Sequence, residues 1–301
     1  MSKFRDDWPL WLAALLGVGS LAFVKKYGIS NYYAAALLGR KPRCVLSLYT
    51  EPTAAGWEAT LPVYDALSMR LLSPGATSDK SKFYAMADEA GIGRHGWGYQ
   101  YLTSKAQADK ELGRLEAAIG LYEIKMYWCN AEVEFNKSAD PAGAAAYFVE
   151  QFRERFPGVG LAWNGYSGGK WFSEDFVKMW DLWSPMTYAT CPETVTKKIQ
   201  NLINVAESLN LGQKWGPTVR VGEDWKKAVD EGFKSCTSWG YAYGPGGLLA
   251  LNEQIGRFPW VNFWHGAIGA RSTLVAPNKY NPSVPDLVRM LQGKEVAGVS
   301  V

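Results

Sequence analysis

Two glutamates, Glu132 and Glu134, stand one residue apart at the end of an apolar run, Leu121-Tyr-Glu-Ile-Lys-Met-Tyr-Trp128, which continues Cys129-Asn-Ala-Glu-Val-Glu-Phe-Asn136. Read as one strand over Tyr122–Phe135, the segment projects residues two apart to the same side, about 6–7 Å from each other. Like charges held that close raise the pKa of one of the pair. A protonated carboxyl beside an ionised carboxylate suits glycosidic bond cleavage, one group protonating the leaving oxygen while the other stabilises charge or activates water. The competing reading ends the strand earlier, which leaves both glutamates in a solvated loop or one of them capping the following helix.

The elements around this pair decide where it sits. After Arg43 short β-rich runs alternate with helical patterns. Strands are expected at Cys44–Thr50, Ala66–Leu72, Gly96–Leu102, Tyr122–Phe135, Val159–Ser167, Leu182–Ala189, Thr218–Gly222, Ser238–Tyr243 and Val261–His265. Helices are expected at Lys105–Ala118, Pro141–Arg155, Ser173–Trp180, Pro192–Leu209 and Glu223–Phe233. In Pro141–Arg155 the apolar Ala144, Tyr147, Phe148 and Phe152 share one face at helical spacing. Such alternation builds βαβ units and a parallel sheet, and the stretch 44–301 has the size of one (β/α)8 barrel. One candidate is surplus, either Ser238–Tyr243 or Thr218–Gly222. The glutamate pair closes the fourth strand, at the barrel mouth where such folds assemble their sites.

Composition narrows the classes. The 301-residue chain is 48% hydrophobic and 20% charged, enough for a large core. Its 32 basic and 29 acidic residues give +3 with both signs interspersed, so no basic block argues for nucleic acid. Cys44, Cys129, Cys191 and Cys236 lie far apart, and the only histidines are His95 and His265. Neither a zinc site nor a disulfide framework follows from that spacing, and no cofactor is expected. Gly244-Pro245-Gly246-Gly247 lacks the Gly-Lys-Ser/Thr ending of a phosphate loop and reads as a turn.

The N-terminal segment 1–43 is a separate problem. Trp8 to Val24 carries no charge over seventeen residues, with Asp6 and Asp7 before it and Lys25-Lys26 after. That length is the lower limit for a membrane span. A short anchor, an uncleaved signal-anchor and a buried helix capped by Asp7 with Pro9 in its first turn all fit. Gly39-Arg40-Lys41-Pro42-Arg43 is the expected linker.

The run from Gly96 to Tyr188 resembles the lysozyme-type muramidases of glycoside hydrolase family 25. Their fourth strand ends in Asp-x-Glu and leads to an alanine-rich helix opened by Asp-Pro. Here the text is Ala131-Glu132-Val133-Glu134, then Asp140-Pro141-Ala142-Gly143-Ala144. Family 18 chitinases are echoed as well, by Met186-Thr187-Tyr188-Ala189 in the sixth strand and by Val261-Asn262-Phe263-Trp264 in the last. The resemblance implies a TIM-like barrel with Glu134 as proton donor and Glu132 as its partner. The implied ligand is an N-acetylhexosamine polymer, peptidoglycan or chitin-like.

The chain departs from both patterns. Glu51 is only a loose substitute for the first-strand Asp of the muramidases, and Ala189 stands where family 18 has Asp. Glutamate at position 132 moves that carboxylate by roughly 1 Å relative to aspartate, a shift that matters to catalysis. A catalytically silent barrel, binding glycan or serving a larger particle such as a phage virion, is the alternative.

The 14 Trp and 16 Tyr exceed what a core needs. At strand ends Trp163, Trp183, Tyr188 and Trp264 are candidates to stack on sugar faces, with Asn164 and Tyr166 as polar contacts and Tyr188 orienting an N-acetyl group or Glu134. Core packing is the other reading for each tryptophan. His95 and His265 either reach the mouth or are hydrogen-bonded structural residues. A glycan substrate and the apolar stretch 8–24 together give an extracytoplasmic, membrane-anchored or virion-associated protein as the expected setting.

Overall fold

The computed structural model describes residues 42–49, 52, 55–72, 79–165, 169–187, 192–220, 258–265 and 284–291. The apolar segment 8–24, the expected strand Ser238–Tyr243 and the expected helix Glu223–Phe233 lie outside them. Among the described residues no helix is long and apolar enough to cross a membrane.

Eight strands form one parallel sheet: β1 (Arg43–Leu48), β2 (Ala66–Leu72), β3 (Gly93–Gln100), β4 (Met126–Ala131), β5 (Gly160–Trp163), β6 (Leu182–Trp183), β7 (Thr218–Arg220) and β8 (Trp260–His265). Their order is β6-β5-β4-β3-β2-β1-β8-β7. The two ends of this order meet. Trp183 N donates to Lys214 O (2.8 Å), Gly216 N to Trp183 O (3.1 Å), Thr218 N to Pro185 O (3.0 Å) and Thr187 N to Thr218 O (3.0 Å). These bonds close the ring, and the fold is an α/β TIM-like barrel. Closure brings the chain so near to β8 that a Cβ on Gly216 would lie 1.9 Å from Trp260 O. Of the two surplus candidates, Thr218 onward is therefore a true strand.

The helices are α1 (Ser81–Glu89), α2 (Lys105–Tyr122), α3 (Val133–Asn136), α4 (Pro141–Arg155), α5 (Glu174–Lys178), α6 (Pro192–Ser208) and α7 (Val284–Leu291). Local chemistry fixes their ends. Ser104 caps α2 by accepting from Gln107 N, and Asp140 caps α4 by accepting from Gly143 N, with Pro141 in the first turn. Glu123 (φ 51°) ends α2 in a left-handed conformation.

Strand alternation separates two apolar layers. Val45, Ala66, Trp97, Trp128, Ala162 and Leu182 fill the barrel interior. Leu46, Leu67, Tyr127, Cys129, Leu161, Trp163, Trp183 and Phe263 pack outward under the helices, against Leu112, Phe148, Phe152 and Phe176 among others. Toward β6, β7, β8 and β1 the interior turns polar. Ser47 Oγ donates to Asn262 Oδ1 (2.8 Å), Asn262 Nδ2 to Thr218 Oγ1 (3.4 Å), and Thr218 Oγ1 to Ser184 O (2.8 Å). Each of these four side chains is buried and partnered, as a polar interior requires.

Candidate functional site

β4 ends at Ala131, four residues before the expected Phe135. The chain then turns: Asn136 N donates to Glu132 O, Lys137 N to Glu134 O and Ser138 N to Phe135 O. Phe135 drives the turn by burying its ring in the outer layer, 4.7 Å from Trp171 and 5.5 Å from Trp163 between centroids. Glu132 is therefore the first residue past the strand and Glu134 lies in the single turn of α3, so strand alternation does not bring them to one side. Hydrogen bonds fix them instead. Tyr99 Oη, on β3, donates to Glu134 Oε2 (2.5 Å), and Asn130 Nδ2, on β4, donates to Glu132 Oε1 (3.1 Å). Both glutamates are half-buried at the C-terminal end of the barrel.

β4 continues the interior series Trp128, Asn130 toward Glu132, and β5 runs from Ala162 to Asn164 beside it. Cys129 pairs with Trp163 across this boundary, and Asn164 N donates to Cys129 O (2.8 Å). Asn130 and Asn164 are each 2% exposed. Among the described residues the Oδ1 of each, a buried acceptor, has no donor. Gly165 follows: a Cβ there would fall 2.6 Å from Ala131 O and 2.3 Å from the Trp163 ring, so this close approach to the end of β4 needs glycine.

The aromatic candidates divide. Trp163 and Trp183 point into the sheet–helix layer, 0% and 1% exposed. Trp163 packs on Trp180 (5.0 Å) and edge-on to Phe176 (4.9 Å), and Trp183 edge-on to Phe172 (4.8 Å). Both are core side chains, because alternation that turns Asn164 and Ser184 inward turns Trp163 and Trp183 out. Trp264 is different: half-buried on β8, it meets Trp97 edge-on at 6.2 Å across the interior. Tyr166, Tyr188 and the side chain of His265 lie outside the described residues.

His95 does not reach the mouth. Two interior positions below Tyr99 on β3, it is buried and accepts from Trp128 Nε1 at Nδ1 (3.2 Å). Burial, helped by the Arg43 charge, lowers its pKa to about 3, which keeps the ring neutral as that acceptor role requires. Among the described residues no group of His, Cys, Asp and Glu has the arrangement to hold a metal ion.

Sequence reasoning passed over Tyr99, Asn130 and a cluster on the β1–β3 wall. There Arg70 lies over the Tyr49 ring (4.1 Å to its centroid) and near Trp97 (5.5 Å), whose Nε1 donates to Leu48 O (2.9 Å). The signal for Tyr99 was available: it alternates with Trp97 and ends a strand next to the carboxylate strand.

No family model matches the sequence, and no curated protein does. Solved structures share the fold. A chitinase from Rhizomucor miehei superposes with a TM-score of 0.52 at 11% identity, over 82% of this chain and 99% of that one. A family 18 chitinase from Pseudoalteromonas aurantia gives 0.54 at 11%, over 74% and 94%. The spore cortex-lytic enzyme SleL from Bacillus megaterium gives 0.57 at 10%, over 87% and 76%. The class these define is the TIM-like barrel. The likeness to these chitinases and to SleL is one of fold.

Proposed function

We propose that the barrel is a glycoside hydrolase acting on an N-acetylhexosamine polymer, with Glu134 as the proton donor and Glu132 as the charge-stabilising partner. The observation that carries this reading is the pair of half-buried carboxylates at the C-terminal mouth, each held by its own neutral donor, Tyr99 and Asn130. Tyr99 donates to Oε2, and Oε1 is the oxygen we assign to proton delivery to the glycosidic oxygen. Asn130 orients Glu132 one residue outside the strand. An acetamido N–H is a donor of the kind that the Asn130 and Asn164 oxygens lack among the described residues.

Support for the substrate class comes from neighbours that are chitinases and a spore cortex-lytic enzyme, polymers of N-acetylated hexosamines being their common ground. Among these polymers peptidoglycan is the one we favour. The test is release of new reducing ends from glycol chitin and from purified peptidoglycan by the full-length protein. Release from either supports a hydrolase. A folded protein that releases none from both belongs to the silent class, in which the barrel binds glycan or serves a larger particle.

A further inference from the structure

Arg70, near the C-terminal end of β2, is a charge that the proposed chemistry does not use. β2 turns Ala66 and Ser68 into the barrel, and Arg70 continues that series, half-buried and paired in register with Trp97 of β3. Its guanidinium lies over the Tyr49 ring, and its Nε donates to Leu72 O (3.1 Å). Arg94, Arg153, Arg155 and Arg289 each meet a carboxylate. Arg70 meets none among the described residues.

A guanidinium carries five N–H donors in a rigid plane, so with Nε engaged the two terminal nitrogens still have four to offer. A half-buried cation without an anion has lost hydration without an ionic partner in exchange. Stacking on an aromatic ring offsets part of that loss and holds the plane still, which presents the terminal N–H groups as a fork suited to a carboxylate. β2 and β4 are two strands apart, about 10 Å along the sheet. Tyr99, which donates to Glu134, stands on β3 between them, so Arg70 and Glu134 belong to neighbouring stretches of the barrel wall.

We infer that Arg70 forms a subsite for an acidic substituent on the glycan, so that the barrel prefers a carboxylate-bearing polymer of the peptidoglycan type to neutral chitin. This inference rests on the glycosidase reading above and names the substrate within it. A carboxylate is the anion that matches the fork at the spacing of one substituted sugar. Neutral acetamido sugars give the fork only weaker, uncharged acceptors.

The experiment compares three oligosaccharides of equal length with the full-length protein: neutral chitooligosaccharide, alternating N-acetylglucosamine and N-acetylmuramic acid with free lactyl carboxylates, and the methyl ester of the latter. Binding is followed by titration calorimetry for the wild type, Arg70→Gln and Arg70→Lys, with melting temperatures as the check on folding. The wild type is expected to bind the free acid about tenfold or more tighter than the ester, the scale of one charge-assisted pair, and to lose that margin as salt rises. Arg70→Gln should bring the ratio of acid to ester affinity close to one, and Arg70→Lys should keep part of it. A wild type that binds acid, ester and neutral sugar alike overturns the subsite while leaving the glycosidase reading intact. So does Arg70→Gln weakening all three equally. A wild type that binds none of them overturns the glycosidase reading and the subsite with it. Should Arg70→Gln fail to fold, the acid and ester comparison on the wild type decides alone.

Discussion

Tyr99 and Asn130 each contribute one neutral donor to one carboxylate, and the consequences are measurable residue by residue. A hydrogen bond to a charged group is worth about 1.5–3 kcal/mol, so Tyr99→Phe should slow hydrolysis by roughly ten- to a hundredfold. The side chain is half-buried and its ring is kept, so the melting temperature should stay within a few degrees. An unchanged rate would remove Tyr99 from the site. His95 gives a prediction on stability. Its imidazole is neutral in the fold, with a pKa of about 3 against the ordinary 6.5, so the unfolded chain binds the extra proton as the pH drops. The stability present above pH 6.5 is therefore lost as pH falls from there toward 3, at up to about 1.4 kcal/mol per pH unit. In His95→Asn that slope of unfolding free energy between pH 6 and 4 should flatten by close to one proton. An unaltered slope would mean that His95 is protonated inside the fold.

At the scale of the element, period-two alternation decides which side chains face the barrel interior. Trp163 and Asn164 were expected to meet one sugar together, yet as neighbours on a strand they point to opposite faces, as Trp183 and Ser184 do. Which face was the interior was not legible, because β5 and β6 are short and apolar on both sides. The same limit hid the end of β4: nothing local to Ala131 stops a strand, and the stop comes from Phe135 finding Trp163 and Trp171, distant in sequence. By contrast α4 was readable over its full length because Asp140-Pro141 and the 3.6-residue stripe agree. Trp163→Ala should therefore cost about 3–5 kcal/mol of stability, the scale for emptying a buried aromatic site. Trp264→Ala should cost less stability and instead diminish the tryptophan fluorescence change on adding saccharide. The reverse pattern in thermal melts and saccharide titrations would put Trp163 at the mouth and Trp264 in the core.

For the whole molecule, the alternation of strands and helices named the barrel, and the closing bonds between β6 and β7 complete it. The glutamate pair was legible as a pair but not as a geometry, since its orientation depends on Tyr99, 35 residues away in sequence. A closed barrel gathers strand ends from the whole chain into one mouth. On the proposed reading, that gathering makes Glu134, Glu132, Asn164, Trp264 and Arg70 parts of one site. The measurement that tests this most directly is the rate of reducing-end release from peptidoglycan and glycol chitin by the wild type and by Glu134→Gln, both shown to be folded by their melting temperatures. The account predicts turnover of at least one polymer by the wild type and a loss of about a hundredfold or more in the variant, the range for removing a general acid. A variant that keeps more than about a tenth of the rate, equivalent to less than about 1.4 kcal/mol of barrier, would contradict it.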